Sequence, residues 1–553
     1  MSFRFVLTGS LEKVLPGVEP SPWKSRREIL PLGDTLSVQI AWRAEEERRY
    51  PGKDRLFFAA DASNGVSASF RTVGLVPVRL ACTPNHDDDY LTYLPGMLPD
   101  LLVPYEESAG VRILNGQWRS VWVDLKADEP GEHSVHLICT DSQGERLWEE
   151  TLTLEVGAQP LMEQKLIHTE WFHADCLADY YGVEVFSERH WELIENQIAC
   201  AAAHGVNMLL TPVVTPALDT AVGGERTTVQ LAEIFEENGG YRFDFSRLER
   251  WIALCQKHGV RYIEICHLFT QWGAKHAPKV MVHTREGLVR RFGWETDALD
   301  PAYTAFLHQL IPALRDCLGR CGVLENTFFH ISDEPHEGDE EGYRMAQASV
   351  LPLLEGLRVI DALSSFDMYQ TGIVKKPVVS TNHVEPFLAA QVPGLWVYYC
   401  VSQGKDVSNR FMSMPSRRTR ILGVQLYLYR IEGFLHWGYN FYNSQYSIRH
   451  LNPFAETDAG EAFPSGDAFL VYPGEDGKPL ESIRLMVFDE ALRDLRALEQ
   501  LEERKGRAYV EALIDELAGQ KITFAQYPRR ADFLYELRRR VNAEISGIAK
   551  QAQ

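Results

Sequence analysis

The sequence predicts an α/β protein in which a (β/α)8 TIM-like barrel follows an N-terminal β-sandwich and precedes a C-terminal helical extension. Three observations support this fold class. Short strand patterns without intervening helices fill the first part of the chain, strands alternate with helices in the middle, and charged helical patterns end it. We therefore expect a sandwich domain at 1–158, a barrel domain at 159–480, and helices packed on the barrel at 481–553.

The N-terminal strand patterns alternate apolar and polar residues with a period of two. The stretch LSVQIAWR places Leu36, Val38, Ile40 and Trp42 on one face of a strand. Similar short patterns recur as far as ETLTLEV, and turn-forming stretches such as PGKD and DASNG separate them. Many short strands with no helix between them are typical of a β-sandwich.

The middle of the chain repeats one unit, a helix that closes at glycine and leads into a buried strand. Three helices begin near Ser187, Ser246 and Asp300 and end in AHG, KHG and RCG. The eight predicted strands cover 166–172, 207–213, 261–269, 327–333, 357–364, 377–381, 395–401 and 433–441. Eight strands interleaved with helices favour a barrel over an open doubly wound sheet, since no glycine-rich phosphate loop follows the first strand.

Composition limits the classes of partner. The chain has 553 residues with 77 acidic and 56 basic side chains, a net charge of −21. Such a surface repels phosphate backbones, so we expect no nucleic-acid partner. No apolar run approaches the roughly 20 residues of a membrane helix, and the first residues lack a secretory pattern, so the expected location is cytoplasmic. The scattered cysteines are typical of buried reduced thiols.

Polar and aromatic residues concentrate at the carboxyl ends of the predicted barrel strands, where barrel enzymes build their sites. The opposite ends hold no such concentration, and acids, histidines and aromatic rings together suit a sugar ligand. Single barrel histidines are also common structural residues, and an aromatic residue there also serves as core. The candidates are Trp171, His173, Asp175, His267, Gln271, Trp272, His330, Asp333, Glu334, His336, Asp367, Asn382, His383, Tyr398, Tyr399, Trp437, Tyr439, Asn440 and Tyr442.

Asp333 and Glu334 form the most informative pair. Neighbouring residues of a strand point to opposite faces, so two adjacent acids share a pocket only where the strand is ending. Pro335 marks that end and should hold Glu334 in an extended conformation. Two close carboxyl groups cannot both ionise freely, so the pKa of one of them should rise.

The spacing of histidines, acids and cysteines gives little indication of a metal site. His330, Glu334 and His336 do not share a helical face, and a site built from His267, His330 and Asp333 has no recognisable spacing. Cys317 and Cys321 would need further ligands. We therefore expect no metal and no cofactor.

The stretches FHISDEP and GDAFLVYPGEDGKPLESIRL, with YLPGMLPDLLVP near the front, resemble glycoside hydrolase family 123, the β-N-acetylgalactosaminidases. The resemblance covers nearly the whole chain. It implies retaining, substrate-assisted hydrolysis of terminal β-linked 2-acetamido-galactosides, with Glu334 as general acid/base and Asp333 orienting the acetamido group. With this resemblance, the candidates for enclosing the sugar and its acetyl methyl are Tyr399, Trp437 and Tyr439, and those for contacting hydroxyls are His267 and Asn382. Trp171 and His330 are further substrate-binding candidates.

The sequence is also compatible with two other functions. A glycosidase acting on sugars without an acetamido group would pair Glu334 with Asp175 or Asp367, and a carbohydrate-binding protein would use the acids only to order a loop. The expected partner is a small glycan or glycoconjugate with terminal β-linked N-acetylgalactosamine, and a homo-oligomer is compatible with the sequence. The sequence does not distinguish galacto from gluco substrates or define the aglycone.

Overall fold

The computed structural model describes residues 3–45, 54–335 and 338–548. The chain forms two compact units. The first unit contains residues 1–164, 405–428 and 480–553, and the barrel unit contains residues 165–404 and 429–479.

Two five-stranded sheets dominate the first unit. Their strands are β1 (Phe3–Gly9), β2 (Arg27–Leu32), β3 (Thr35–Ala44), β4 (Arg55–Ala62), β5 (Val66–Val78), β6 (Gly96–Pro104), β7 (Val111–Arg112), β8 (Arg119–Ala127), β9 (Gly131–Asp141) and β10 (Arg146–Pro160). One sheet has the order β1-β3-β8-β5-β6 and the other β2-β10-β9-β4-β7. Val38, Ile40 and Trp42 of β3 lie in the shared apolar core, as their period-two pattern predicts.

The polar face of β3 is also buried, which the alternation did not predict. Gln39 donates to the backbone oxygens of Gly9 and Glu12 and accepts from Ser120 at 2.9 Å. Ser37 donates to Asp124 at 2.6 Å. Each buried polar group on this face therefore has a partner, which removes the cost of covering it.

The barrel unit continues the strand series. Its strands are β11 (Ile167–Glu170), β12 (Met208–Thr211), β13 (Glu233–Glu237), β14 (Gly240–Asp244), β15 (Tyr262–Ile265), β16 (Val280–Thr284), β17 (Gly287–Phe292), β18 (Thr327–Phe329), β19 (Arg358–Val359), β20 (Asp361–Leu363), β21 (Pro377–Ser380), β22 (Trp396–Tyr398) and β23 (Gly433–His436), with short strands β24 (Tyr472–Pro473) and β25 (Pro479–Leu480) after them.

Nine of these strands form one parallel sheet in the order β19-β18-β15-β12-β11-β23-β22-β21-β20 within the described chain. Strands β19 and β20 are two halves of one chain segment, interrupted at Ile360, so the sheet closes on itself. All eight strand positions predicted from the sequence are confirmed, and the fold is a TIM-like barrel. The mixed four-stranded sheet β14-β13-β16-β17, inserted after β12 and β15, was not predicted.

The barrel unit has seven α-helices among its described residues, and all of them lie between barrel strands, with α1 and α2 together after β11. They are α1 (Ala174–Tyr181), α2 (Glu188–Ala203), α3 (Ser246–Lys257), α4 (Pro301–Arg320), α5 (Glu340–Val350), α6 (Phe366–Gln370) and α7 (Glu385–Ala389). Ser187 caps α2 by accepting from the backbone N–H of His190, and Asp300 caps α4. Both caps were predicted, since a side-chain oxygen satisfies an otherwise orphaned helix N–H.

Four further helices belong to the first unit: α8 (Ser416–Leu428), α9 (Ile483–Lys505), α10 (Arg507–Ala518) and α11 (Ala531–Ser546). Arg420 of α8 forms buried ion pairs with Glu490 and Asp494 of α9 at 2.8 and 2.7 Å. Arg538 of α11 pairs with Asp34 before β3 at 2.6 Å. The predicted boundaries at 158 and 480, and the predicted packing of 481–553 on the barrel, stay predictions. No described helix is long and apolar enough to cross a membrane.

The contact between β22 and β23 generates a testable prediction. Gly433 is paired with Trp396, and a Cβ at Gly433 would overlap the Trp396 ring. Gly433→Ala should therefore lower the free energy of unfolding by about 1–3 kcal/mol, because the ring must leave its packing position. Gly319→Ala is the matched control, since a Cβ there meets nothing within 4 Å and alanine favours the helix by up to about 1 kcal/mol. Equal urea midpoints for the two variants would contradict the prediction.

Candidate active site

A cavity of about 640 Å³, including space open to solvent, lies at the carboxyl ends of the barrel strands. Its size suits a small-molecule ligand. Segments that follow six different strands contribute side chains, as in barrel enzymes. It is lined by Trp171, Leu218, Asp219, Gln271, Trp272, Asp333, Glu334, Ala362, Tyr398, Cys400, Val401, Leu435, Trp437 and Phe463.

Asp333 and Glu334 both line this cavity. Strand β18 ends at Phe329, earlier than predicted, and the Asp333 carbonyl then accepts from the backbone N–H of Trp272 at 2.8 Å. Glu334 has φ 40°, in the left-handed region, and not the extended conformation expected before Pro335. Such a backbone costs of order 1–3 kcal/mol and persists only where the surroundings fix it. The chain turn, and not strand alternation, brings the two acids into one cavity.

The two acids have different surroundings. Burial, followed by the neighbouring carboxyl group of Glu334, raises the pKa of Asp333 well above its ordinary value. This agrees with the expectation that the pKa of one member should rise. Glu334 accepts a hydrogen bond from the Tyr398 hydroxyl. Tyr398 comes from the end of β22, so a strand that is not adjacent to β18 fixes the Glu334 carboxyl group.

A buried ionic network lies beneath the pair. His330 Nε2 is 2.6 Å from Glu264 Oε1, and His330 Nδ1 is 3.5 Å from Asp361 Oδ1. Burial opposes a charged imidazole, but the two carboxylates outweigh it and raise the pKa of His330 to about 9. His330 is therefore an imidazolium at neutral pH. Both ring nitrogens of His330 face carboxylates, so the ring is an ionic partner within this network.

This network holds two parts of the cavity wall in place. Glu264 accepts from the indole N–H of Trp171 at 2.9 Å and from the Thr169 hydroxyl. Asp361 accepts from the backbone N–H groups of Ile331 and Ser332 at 2.9 and 3.3 Å, directly before Asp333. The two carboxylates thus fix both an aromatic wall and the segment that carries the acid pair.

Aromatic rings form much of the remaining lining. Trp437 donates its indole N–H to Asp467 at 2.9 Å and meets Phe463 edge to face at 5.4 Å. Trp272 has φ 60° and packs edge to face on Tyr446. Rigid rings with one tethered edge offer apolar faces on which a sugar can stack.

Several residues predicted to contact a sugar lie outside the lining of this cavity. Tyr399 packs on Phe434 and His436, whereas its neighbour Tyr398 faces the cavity. Tyr439 is buried, and its hydroxyl donates to the backbone oxygen of Gln197. Asn382 is exposed and accepts from Gln403.

The two predicted histidines lie below the lining. His267 stacks on His330 with ring centroids 4.3 Å apart and meets Trp171 edge to face. Burial, with the neighbouring charge of His330, lowers the pKa of His267 well below its ordinary value. The pair therefore consists of one neutral and one charged ring. His336 lies outside the described residues.

The two carboxylates offered as alternative partners of Glu334 lie elsewhere. Asp175 is buried in a bidentate ion pair with Arg226, with both oxygens 2.8 Å from guanidinium nitrogens. Asp367 is exposed on α6. A carboxylate already neutralised by a guanidinium is a poor nucleophile.

Seven lining residues were not among the sequence candidates: Leu218, Asp219, Ala362, Cys400, Val401, Leu435 and Phe463. Asp219 follows β12, so the rule that strand ends carry function applies to it, but the candidates drawn from strand ends included none after the second strand. Phe463 lies far along the segment after β23, where nothing in the sequence indicates a return to the barrel mouth.

A second cavity adjoins the first. Glu334 and Tyr398 line both cavities, and the second is otherwise polar. Its remaining lining residues are Pro335, Ser364, Ser365, His383, Ser402 and Gln403. The Glu334 carboxyl group is therefore accessible from two sides.

A possible ligand set for a metal ion in the barrel unit, as far as that unit is described, is Glu249, Cys317 and Cys321. The two cysteines are four residues apart at the end of α4, and Glu249 lies on α3. Burial raises the pKa of Cys317 to about 12, so its thiol is protonated at neutral pH. These residues do not line the barrel cavity.

Comparisons with known proteins agree with this geometry. Residues 171–501 match the family model described as glycoside hydrolase 123, catalytic domain. A family 123 glycoside hydrolase from Clostridium perfringens, studied for glycolipid glycan hydrolysis, shares the fold with a TM-score of 0.70 and 14% identity, over 99% of this chain and 97% of that chain. A β-glucuronidase from Parabacteroides merdae reaches only 0.31 at 9% identity, over 82% and 49% of the two chains. No curated protein sequence matches the chain.

The ionic network generates a prediction about stability. Glu264→Gln should lower the free energy of unfolding by about 3–5 kcal/mol, because it removes one partner of a buried pair and leaves the His330 charge undercompensated. Glu249→Gln is the control: Glu249 is exposed with Arg320 at 3.4 Å, so its loss should cost no more than about 1 kcal/mol. Urea unfolding at pH 7 measures both. Equal costs for the two variants would rule out a stabilising role for the network.

Proposed function

Because the chain belongs to glycoside hydrolase family 123, we propose that it is an exo-acting β-N-acetylgalactosaminidase that retains anomeric configuration through substrate-assisted catalysis. The observation that carries the proposal is the adjacent acid pair Asp333 and Glu334, which lines one aromatic cavity at the strand ends. The chain is a glycoside hydrolase by family. The sugar, the linkage and the mechanism are the proposed part.

In the first step, the acetamido carbonyl oxygen attacks the anomeric carbon and the bond to the leaving oxygen breaks. Glu334 gives its proton to that oxygen, and an oxazolinium ion remains. In the second step, water attacks the anomeric carbon, Glu334 takes the proton, and the carbonyl oxygen departs. Two displacements at one carbon retain its configuration, and no protein nucleophile is needed, unlike in the two-carboxylate retaining scheme.

Asp333 is suited to hold the acetamido N–H. This hydrogen bond turns the carbonyl oxygen toward the anomeric carbon, and the carboxylate balances the positive charge that develops on the ring. The N–H becomes more acidic as the oxazolinium ion forms. Burial and the neighbouring Glu334 raise the pKa of Asp333 in the empty cavity. The mechanism therefore requires the acetamido N–H to stabilise the ionised form of Asp333, so that the proton shared by the pair lies on Glu334. Adjacency to Glu334 is required, since the acetamido group neighbours the bond that breaks.

The two cavities provide room for both parts of a glycoside. We assign the sugar to the aromatic cavity that contains Trp171, Trp272 and Trp437, and the leaving group to the polar cavity beyond Glu334. Glu334 and Tyr398 line both spaces, where the general acid must lie to reach the leaving oxygen. The Clostridium perfringens relative is described for glycolipid glycans, and a glycoconjugate with a terminal β-linked N-acetylhexosamine fits the same arrangement.

A panel of aryl β-glycosides tests this function. The protein should cleave 2-acetamido substrates and leave plain β-galactosides intact, because the latter lack the internal nucleophile. Asp333→Asn should lower kcat/KM by about 10²–10⁴-fold, as expected for a group that acts in the transition state. Glu334→Gln should lower it similarly with poor leaving groups and much less with a dinitrophenyl leaving group, which needs no proton.

The control is Asp316→Asn, a matched change on the exposed side of α4, which should leave activity unchanged. Cleavage of plain galactosides at comparable rates would exclude substrate assistance. Full activity of Asp333→Asn on the acetamido substrates would exclude the proposed role of that residue.

A further inference from the structure

We infer that Asp219 is a specificity-determining residue whose carboxylate accepts a hydrogen bond from a hydroxyl group of the sugar in the aromatic cavity. The inference deepens the proposed function and rests on it, since it concerns the same cavity and the same glycoside. Besides Asp333 and Glu334, Asp219 contributes a carboxyl group to the lining of that cavity. It comes from the segment after β12, a different part of the barrel from the segment after β18.

The backbone of Asp219 is held in an unfavourable conformation. Its φ is 40°, in the left-handed region, as are those of Trp272 and Glu334 in the same lining. Gln271 Oε1 accepts from the Asp219 N–H at 2.6 Å, and Gln271 Nε2 reaches the Thr220 carbonyl at 3.4 Å. Strained residues that border one cavity are typical of a site where side chains must be aimed at a ligand.

A second tether fixes the other side of the residue. The Ser447 hydroxyl donates to the Asp219 carbonyl at 2.8 Å, and the backbone N–H of Tyr446 binds the Asp219 carboxylate. Gln271 and the 446–447 turn therefore clamp Asp219 from two directions. The side chain has little freedom to relax away from the cavity.

One carboxylate oxygen remains without a partner. Asp219 Oδ2 is buried and forms no hydrogen bond within the described chain. A buried, unsatisfied carboxylate oxygen is costly unless a ligand supplies a donor. A sugar hydroxyl is a donor of the right kind, and carboxylates are strong acceptors for it.

The surrounding charges leave this oxygen available. The positive charge of Arg226 lowers the pKa of Asp219, but its guanidinium group is hydrogen-bonded to Asp175 and to His173 Nδ1. Burial raises the pKa of Asp219 to about 6, although the Tyr446 N–H and Arg226 oppose the rise. The carboxylate thus exists above about pH 6, with no ion pair of its own in the described residues.

The decisive experiment combines variants with deoxy substrates. Aryl 2-acetamido-β-glycosides that lack one hydroxyl at a time are compared on the wild type, Asp219→Asn and Asp219→Ala. One deoxy substrate should lose about 10–100-fold in kcat/KM on the wild type, the cost of leaving a charged acceptor without its donor. Asp219→Ala should lose a similar factor on the parent substrate and nothing further on that deoxy substrate.

The pH dependence provides a readout that a structural role would not move. As pH falls below about 6, the Asp219 carboxylate protonates and loses its acceptor character, so the KM of the wild type should rise. Asp219→Asn should lack this rise relative to the wild type. Asp297→Asn, an exposed aspartate of the same unit, is the control and should follow the wild type.

Two results would overturn the inference. Additive losses for Asp219→Ala on every deoxy substrate would show that Asp219 binds no hydroxyl. Loss of kcat on all substrates, restored by azide, would make Asp219 a nucleophile instead. Calorimetric binding of N-acetylgalactosamine separates this inference from the proposed function: binding weakened by Asp219→Ala supports the contact even if the wild type cleaves no glycoside, and unchanged binding refutes it.

Discussion

The site depends on the buried ion pairs that the His330 imidazolium forms with the carboxylates of Glu264 and Asp361. Charges taken out of water are costly unless they are paired and hydrogen-bonded. The same carboxylates also position the site, because Glu264 binds the Trp171 indole and Asp361 binds the backbone before Asp333. The Tyr343 hydroxyl of α5 also binds Asp361, which ties the helix after the acid pair to the same network.

The buried ionic network contributes to holding strained backbones and buried carboxyl groups around the cavity. Asp219, Trp272 and Glu334 border the cavity with left-handed backbones, and the carboxyl groups of Asp219 and Asp333 have raised pKa values because they are buried. A fold can retain such features only if its remaining contacts supply the stability. The same features suit a glycoside, since they present acceptors and a proton donor in fixed directions before the sugar arrives.

The barrel strands could be predicted from the sequence, but only some of the residues that line the cavity could. Helices that close at glycine before buried strands predicted three of the eight strand positions, and short apolar stretches predicted the other five. Pro335 pointed to Asp333 and Glu334. Which of Tyr398 and Tyr399 faces the cavity depends on the phase of a three-residue strand, which alternation alone does not set. Asp219 lies in a long loop whose course is set by contacts with Gln271 and residues 446–447, and these are distant in sequence.

In the proposed mechanism, the substrate's own acetamido oxygen is the nucleophile and Asp333 orients it. A series of aryl glycosides carrying acetamido, fluoroacetamido, difluoroacetamido and trifluoroacetamido groups tests it most directly. Each fluorine withdraws electron density from the carbonyl oxygen and weakens it as a nucleophile. We therefore expect kcat/KM to fall steeply with each added fluorine. A rate independent of fluorination would contradict it, because the carbonyl oxygen would then take no part in breaking the bond.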